Sequence, residues 1–328
     1  MDIAGWLWAL TIVGLLGLLA FDFFMHVRKA HIPTLKESAL WSAGYIGVAV
    51  LFGVGVFVFG GADPGSEYFA GYVTEKALSV DNLFVFLVIM ASFRVPRADQ
   101  QKVLLFGIVM ALAARTGFIL LGAALINRFA WVFYFFGLLL LLAAGNMLKS
   151  GSAGEAHRTP DVIVGLVKKV VPTSERYDGD RLFPRIDGRW AITPMVLVML
   201  AIAGTDVLFA LDSIPAIFGL TQNSYLVFTA TAFSLLGLRQ LYFLIDGLLD
   251  RLVYLSYGLA VILGFIGVKL IMHAMHEGGA GGIEIGTGPS LLVIVGVLAV
   301  TVVASLRHHR EAPDATRSKT EPELVLHR

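Results

Sequence analysis

Long, largely apolar stretches recur along the chain, separated by short polar segments. A helix needs about 20 apolar residues to cross the hydrocarbon core of a bilayer. Nine stretches approach or exceed this length, at residues 4–25, 39–60, 69–93, 103–125, 130–148, 194–221, 225–247, 252–273 and 289–306. Lipid forces each spanning backbone to satisfy its own hydrogen bonds, and the alternating pattern of a membrane barrel is absent. The pattern therefore predicts an all-α polytopic membrane protein with about nine transmembrane helices within residues 1–306.

Composition narrows the classes of function. Of the 328 residues, 57% are hydrophobic and 15% are charged, whereas soluble domains carry about 25% charged residues. The absence of cysteine excludes disulfides, thiolate metal sites and cysteine nucleophiles. No glycine-rich phosphate-binding loop is present, so an ATP-driven pump is not supported. We expect the lipid bilayer as the surroundings of the chain, and no nucleic-acid partner.

Lysine and arginine residues between the stretches predict the orientation. If successive loops alternate sides, one side receives almost all of the basic residues and the other receives only Arg128. The longer loops of that second side, 61–68 and 274–288, contain acidic residues but neither Lys nor Arg. Because cytoplasmic loops are enriched in Lys and Arg, we predict an outside N-terminus and a cytoplasmic C-terminus in a bacterial-type cytoplasmic (inner) membrane.

Three segments need separate interpretation. The first apolar stretch lacks a basic leader and is longer than a signal-peptide core, so we predict that it is the first transmembrane helix. The loop at 149–193 mixes charges of both signs with an apolar patch at 162–171. This composition predicts a cytoplasmic loop with a short amphipathic helix on the membrane surface. Residues 307–328 are polar and are predicted to form a disordered cytoplasmic tail.

Two acidic motifs interrupt the apolar stretches. The third stretch contains Glu75-Lys-Ala-Leu-Ser-Val-Asp81-Asn82, and the sixth contains Asp206-Val-Leu-Phe-Ala-Leu-Asp212-Ser213. Each motif has two carboxylates six residues apart, with a small polar side chain directly after the second. The stretch that follows each motif carries an arginine, Arg115 in one case and Arg239 in the other.

The shared motif indicates an internal repeat. Residues 69–148 and 194–273 are similar enough to be two copies of a three-helix unit. Because three is odd and the connecting loop stays on one side, the two copies must cross the membrane in opposite directions. Inverted repeats of this kind occur in secondary transporters, which bind their substrate near the midplane between the copies.

Charged residues inside the predicted spans indicate an ion pathway, buried ion pairs, or both in different states. The acids are Asp22, Glu75, Asp81, Asp206, Asp212 and Asp246, and the bases are Lys76, Arg115, Arg239 and Lys269. A charge at the bilayer centre costs about 2.5–3.5 kcal/mol on insertion scales, so these residues must meet one another or line a wet cavity. Asp22, Asp246 and Lys269 lie near span ends, where side chains can reach the interface. The excess of two negative charges suits a divalent cation or two monovalent ones.

The spacing within each motif predicts where a cation would lie. Residues six apart on a helix are about 9 Å apart along its axis and about 120° around it, so one straight helix cannot chelate an ion with both acids. An ion should therefore lie between the two motifs. Pro215 frees the carbonyl oxygen of Leu211, and further neutral oxygens come from Ser79, Asn82, Thr205 and Ser213. Such an all-oxygen set suits Mg²⁺, Ca²⁺ or Mn²⁺ and does not distinguish them.

The motifs, together with Gly237-Leu-Arg239-x-Leu-Tyr242-Phe and Gly267-Val-Lys269, resemble the TerC/Alx family of integral membrane proteins. The resemblance extends from the first to the eighth stretch. It implies a role in metal homeostasis through Mn²⁺ export. It also implies that the ion is bound by Glu75, Asp81, Asn82, Asp206 and Asp212, with Asp22 as a further candidate. We expect Arg115, Arg239 and Lys76 to balance the charge of these acids.

Three functional hypotheses follow. The first is a divalent metal cation transporter that exports Mn²⁺ by alternating access, possibly coupled to protons, with no catalytic cofactor and no enzymatic activity. The second is a membrane assembly or chaperone-like protein that acts on partners through the loop at 149–193. The third is an intramembrane enzyme, but the Gly-x-Gly-Asp sequence of intramembrane aspartyl proteases is matched only in part by Gly204-Thr-Asp206. The oligomeric state does not follow from the sequence.

Overall fold

The computed structural model describes residues 4–27, 33–129, 131–150, 185–186, 189–190, 193–245, 254–278 and 285–311. These residues form ten α-helices, a π-helical turn at Phe23–Val27 and two short strands. The helices are α1 (Gly5–Asp22), α2 (Leu35–Gly60), α3 (Ala62–Ser92), α4 (Arg97–Ile126), α5 (Val132–Ser150), α6 (Pro194–Phe218), α7 (Ser224–Leu235), α8 (Leu238–Ile245), α9 (Leu255–Glu277) and α10 (Thr287–Glu311). The strands β1 (Arg185–Ile186) and β2 (Arg189–Trp190) pair antiparallel.

The predicted all-α polytopic fold is confirmed. Each of the predicted spans contains a helix, and eight segments of the described chain are long and apolar enough to cross a membrane. The exception is α3, which has 31 residues but carries Glu75, Lys76 and Asp81 close together. The third predicted span is therefore a long helix whose polarity comes from the acidic motif itself.

Some predictions concern residues outside the described ranges. The amphipathic segment at 162–171, the tail beyond residue 311 and the span-end position of Asp246 all lie there. They stay predictions.

The acidic motifs lie on α3 and α6, which pack against each other and against several other helices. Helix α3 packs against α2, α6, α7 and α10, and α4 packs against α6 and α7. Every residue of α7 from Tyr225 to Leu235 is buried. In contrast, α1, α2 and α10 expose many large apolar side chains, as lipid-facing helices do. The acids of the motifs are therefore buried or partly buried, whereas Val207, Leu208 and Leu211 of the second motif are exposed on the outer face of α6.

The seventh predicted span is two helices, α7 and α8. The chain leaves α7 at Leu236 in an extended conformation and passes through Gly237, whose φ of 75° is in the left-handed region that glycine adopts readily. The Lys76 Nζ of α3 donates to the carbonyl oxygens of Ser234 at 2.9 Å and Leu236 at 3.3 Å. Carbonyl groups freed inside a membrane need such partners, so Lys76 stabilises the break.

Helices α5 and α9 meet where two glycines face each other. A Cβ added at Gly267 would lie 2.9 Å from the Gly137 carbonyl oxygen, and one added at Gly137 would lie 2.8 Å from the Gly267 carbonyl oxygen. Small residues allow helix backbones to approach this closely, and membrane helices associate largely through such packing.

We expect Gly267→Ala to destabilise the protein by about 1–3 kcal/mol, because the new methyl group overpacks a backbone contact that cannot yield. The matched control is Gly264→Ala one turn earlier, whose Cβ would meet Ala144 at an ordinary 3.9 Å. Thermal unfolding of both variants in detergent checks this. Equal melting temperatures for the two would contradict the close crossing.

Candidate functional site

The first acids of both motifs meet at Arg115 of α4, which is 1% exposed. Its Nη1 contacts the Glu75 carboxylate of α3. Its Nε and Nη2 donate to the two carboxylate oxygens of Asp206 on α6, at 3.3 and 3.2 Å. Nη1 also donates to Ser213 Oγ at 3.2 Å. We call these four residues the Arg115 cluster.

The Arg115 cluster carries a net negative charge if both of its carboxylates are ionised. One guanidinium faces two carboxylates, and Glu75 is fully buried. The Glu75 Oε2 atom has no hydrogen-bond partner among the described residues. A buried carboxylate oxygen without a donor is costly unless a proton or a cation approaches it. The cluster can therefore accept additional positive charge.

The second acids of both motifs do not form a salt bridge with Arg115. Asp81 of α3 accepts a hydrogen bond from Ser256 Oγ of α9 at 3.0 Å. Asp212 lies on α6, which packs against α3, the helix of Asp81, and against α4, the helix of Arg115. Neither acid forms an ion pair with a described residue, and both are partly buried. Asn82, the next residue of α3, is buried at 8% exposure.

The structure thus brings the predicted residues into one region without placing them around one point. In the described part of the chain, no three side chains among His, Asp and Glu are close enough together to hold a metal ion. Glu75, Asp206 and Ser213 surround a guanidinium instead. Pro215 lies inside α6, which continues through it to Phe218. The carbonyl group that Pro215 was predicted to free is therefore not accompanied by a break in the helix.

A second group of polar residues surrounds Asp22, at the end of α1. Asp22 Oδ1 accepts from Arg239 Nη2 at 2.7 Å, Gln240 Nε2 at 2.8 Å and Tyr45 Oη at 2.8 Å. Arg239 Nη1 donates to Gln101 Oε1 at 2.8 Å. We call these five residues the Arg239 cluster. Asp22 is 5% exposed, so it is held inside the bundle beside Arg239 and apart from the residues of the Arg115 cluster.

Several hydrogen-bond partners of the charged residues were not predicted from the sequence. Tyr45, Gln101 and Gln240 complete the Arg239 cluster, and the sequence signal was that Gln101 is a polar residue just before an apolar stretch and Gln240 is one inside an apolar stretch. Lys76, expected to balance carboxylate charge, donates to the backbone carbonyls of the α7–α8 break. The helix C-terminus carries partial negative charge, so the ammonium group is still placed against negative potential.

The opposite end of the bundle contains a polar cavity, which we call the vestibule. It is lined by the beginning of α3, the end of α6, the end of α9 and the beginning of α10, with about 720 Å³ not occupied by protein atoms and part of it open to solvent. Within it Thr221 Oγ1 donates to Glu67 Oε2 at 2.5 Å, and Lys269 Nζ donates to Ser290 Oγ at 3.1 Å. The cavity therefore brings several polar side chains to an end of the bundle that is partly open to solvent.

Known proteins of related sequence include both uncharacterized and named membrane proteins. A profile of the integral membrane protein TerC family matches residues 60–312. An uncharacterized membrane protein of Mycobacterium tuberculosis is 58% identical over 319 residues, covering 93% of this chain and 80% of that protein. The Arabidopsis thaliana "Thylakoid membrane protein TERC, chloroplastic" is 40% identical over 273 residues, covering 83% of this chain and 69% of that protein.

A further relative carries a functional name. The Escherichia coli "Putative membrane-bound redox modulator Alx" is 34% identical over 307 residues, covering 90% of this chain and 93% of that protein. No solved structure gives a significant match.

Proposed function

The chain belongs to the TerC family of integral membrane proteins, and from this premise we propose that it transports a hard divalent cation, with Mn²⁺ as the main substrate. We propose export from the cytoplasm across a bacterial-type inner membrane by alternating access. The observation that carries the proposal is the division of the two motifs. Arg115 holds the first acid of each motif, whereas the second acids, Asp81 and Asp212, lie on two helices that pack against each other and have no ion-pair partner among the described residues.

The buried charges support a divalent substrate. The five described acids of the interior are Asp22, Glu75, Asp81, Asp206 and Asp212, and the three bases are Lys76, Arg115 and Arg239. Glu67 and Lys269, which both line the vestibule, cancel each other in this sum. If all are ionised, two negative charges are left over. Because uncompensated charge is expensive inside a membrane and marks ion pathways, one divalent cation or two protons would complete the balance.

The ligand chemistry supports a hard cation. Carboxylate, amide and hydroxyl oxygens of Asp81, Asn82, Asp212 and Ser256 are available where α3, α6 and α9 meet. Oxygen donors without sulfur suit Mg²⁺, Ca²⁺ and Mn²⁺. Among these, Mn²⁺ is proposed because the resemblance of the motifs to the family implies it.

Helix packing supports the proposed inverted repeat. If α3, α4 and α5 correspond to α6, α7–α8 and α9, a two-fold relation requires that the contact of α3 with α7 be matched by one of α4 with α6. Both contacts exist. The contacts α3–α6, α4–α7 and α5–α9, which such a relation maps onto themselves, also exist. This pairing suits two units that rock around a central site.

Protons are the proposed counter-ion. Carboxylates such as Asp81 and Asp212 bind a cation when ionised and release it when protonated. Arg115 supplies a second step, because its guanidinium can offset one of the two negative charges of Glu75 and Asp206 when the metal has left. The cation and the arginine would thus alternate as partners of the same acids.

Other functions have less support. The name of the Escherichia coli relative refers to redox modulation, but thiol–disulfide exchange requires cysteine and this chain has none. An aspartyl enzyme needs two carboxylates that share a proton, whereas Asp206, the acid of the partial match to the protease sequence, is bound by Arg115. We therefore propose no enzymatic activity. A chaperone-like role would depend on the loop at 149–193, most of which lies outside the described residues.

Ion flux in proteoliposomes tests the proposed function. Vesicles containing the purified protein and an enclosed Mn²⁺-sensitive dye should show saturable Mn²⁺ movement that an opposing proton gradient accelerates. Because the proposed ligands are all oxygens, excess Mg²⁺ or Ca²⁺ should compete, whereas softer ions should compete less. Protein-free vesicles are the control. Fluxes equal to theirs under both gradient directions would contradict a transporter of divalent cations.

A further inference from the structure

The Arg239 cluster ties together four helices at one end of the bundle. Asp22 ends α1, Tyr45 lies on α2, Gln101 lies in the first turns of α4, and Arg239 and Gln240 begin α8. The four hydrogen bonds among them are all 2.8 Å or shorter. Charge-assisted bonds of this length are strong. The cluster therefore fixes α8 to α1, α2 and α4.

A narrow pocket lies directly beside the cluster. Its lining is contributed by α2, α4 and α8, and includes Glu37, Ser38, Gln101, Arg239 and Gln240. The space that protein atoms leave free, about 220 Å³ with some open solvent, is confined to gaps that suit water and exclude an organic solute.

Three buried polar atoms on the lining residues have no hydrogen-bond partner among the described residues: Ser38 Oγ, Arg239 Nε and Gln240 Oε1. The orientation of the Gln240 amide is fixed, because its Nε2 donates to Asp22 and a carboxylate accepts only. The pocket thus offers a donor, an acceptor and a hydroxyl group. Buried polar atoms are normally paired with protein or ordered water, so this set points to bound water.

Helix α8, which lines the pocket, is the element that we expect to move. This helix begins at Leu238 and is separated from α7 by Leu236 and Gly237. Lys76 holds the last carbonyls of α7, whereas α8 is held at its beginning by Arg239 and Gln240. If the bonds of Asp22 break, α8 can shift at Gly237 without unwinding α7.

We propose that this pocket is the closed form of a water-accessible antechamber at the cytoplasmic end of the cation pathway, and that the Asp22–Arg239 ion pair is the gate that separates it from the interior. The proposal rests on the proposed transport function. It gives Asp22 a role different from that of a metal ligand, because its carboxylate is occupied by a guanidinium, an amide and a phenol. Glu37, which lines the same pocket, provides negative charge at its entrance.

Cysteine labelling tests the gate without any metal, since the chain has no cysteine of its own. The single variant Ser38→Cys is treated with a membrane-impermeant methanethiosulfonate reagent in vesicles of each orientation. Ser38 is 1% exposed, so labelling should be slow with the pair intact. In an Asp22→Asn or Arg239→Gln background we expect labelling from the cytoplasmic side to become about tenfold faster or more, because a minor open state becomes populated.

Ala49→Cys on the same helix is the matched control, because Ala49 is 0% exposed and does not line the pocket. Its labelling should stay slow in all three backgrounds. The gate is refuted by unchanged labelling of Ser38→Cys, by labelling from the opposite side only, or by an equal rise at Ala49→Cys. If breaking the ion pair accelerates the labelling of Ser38→Cys but the protein shows no Mn²⁺ flux, the transport function alone is refuted. If the protein transports Mn²⁺ but the labelling rate of Ser38→Cys does not depend on the ion pair, the gate alone is refuted.

Discussion

Asp81→Asn and Asp212→Asn are each expected to reduce Mn²⁺ flux by roughly 10- to 100-fold or more, the range seen when the support of a metal ligand is lost. Neither acid forms an ion pair with a described residue. Removing the charge therefore leaves no stranded partner, and it also removes a desolvation cost. We accordingly expect both variants to be as stable as the parent or slightly more stable. Proteoliposome flux and thermal unfolding measure the two effects.

The combination of lost transport with retained stability is the signature of a ligand. Asp63→Asn is the matched control, because Asp63 is exposed at the beginning of the same helix as Asp81. It should leave both properties unchanged. Parent-like flux in either Asp81→Asn or Asp212→Asn would remove that residue from the proposed site.

Arg115→Met is expected to destabilise the protein by about 3–5 kcal/mol, the usual cost of breaking a buried ion pair from one side. The reason is that Glu75 and Asp206, both almost fully buried, would lose their common counter-charge. Thermal or chemical unfolding in detergent measures the loss. Arg128→Met, at an exposed position just after the same helix, should cost little.

A compensated variant separates the ion pair from simple packing. Glu75→Gln and Asp206→Asn, added to Arg115→Met, remove all three charges and should restore most of the stability, because no buried charge is then left alone. If the triple variant is as unstable as Arg115→Met, or if Arg115→Met is as stable as Arg128→Met, electrostatics is not what the cluster contributes.

The spans could be predicted because lipid imposes one length and one secondary structure on every crossing. Which charges pair could not be predicted, because pairing depends on contacts between helices far apart in the chain. The sequence alignment of the two repeats suggested equivalent roles for Arg115 and Arg239. In the structure, Arg115 forms salt bridges with acids of the motifs, whereas Arg239 forms one with Asp22, which lies outside both repeats.

The break between α7 and α8 could not be predicted from the sequence either. Hydropathy is continuous across 225–247, and a single glycine is common in membrane helices that stay intact. What makes Gly237 a breaking point is Lys76, which arrives from α3 to satisfy the freed carbonyl groups. Pro215 shows the reverse case, since a residue with a strong helix-breaking tendency lies inside an uninterrupted helix.

The polarity of α3 has a consequence for how the protein enters the membrane during synthesis. Helix α3 carries Glu75, Lys76 and Asp81, and its partners are Arg115 on α4, the carbonyls at the end of α7 and Ser256 on α9. All of these are translated after α3. A ribosome-bound chain thus presents a segment that lipid alone would reject. We expect α3 to wait beside the insertion machinery until its later partners emerge, and to be released into the bilayer together with them.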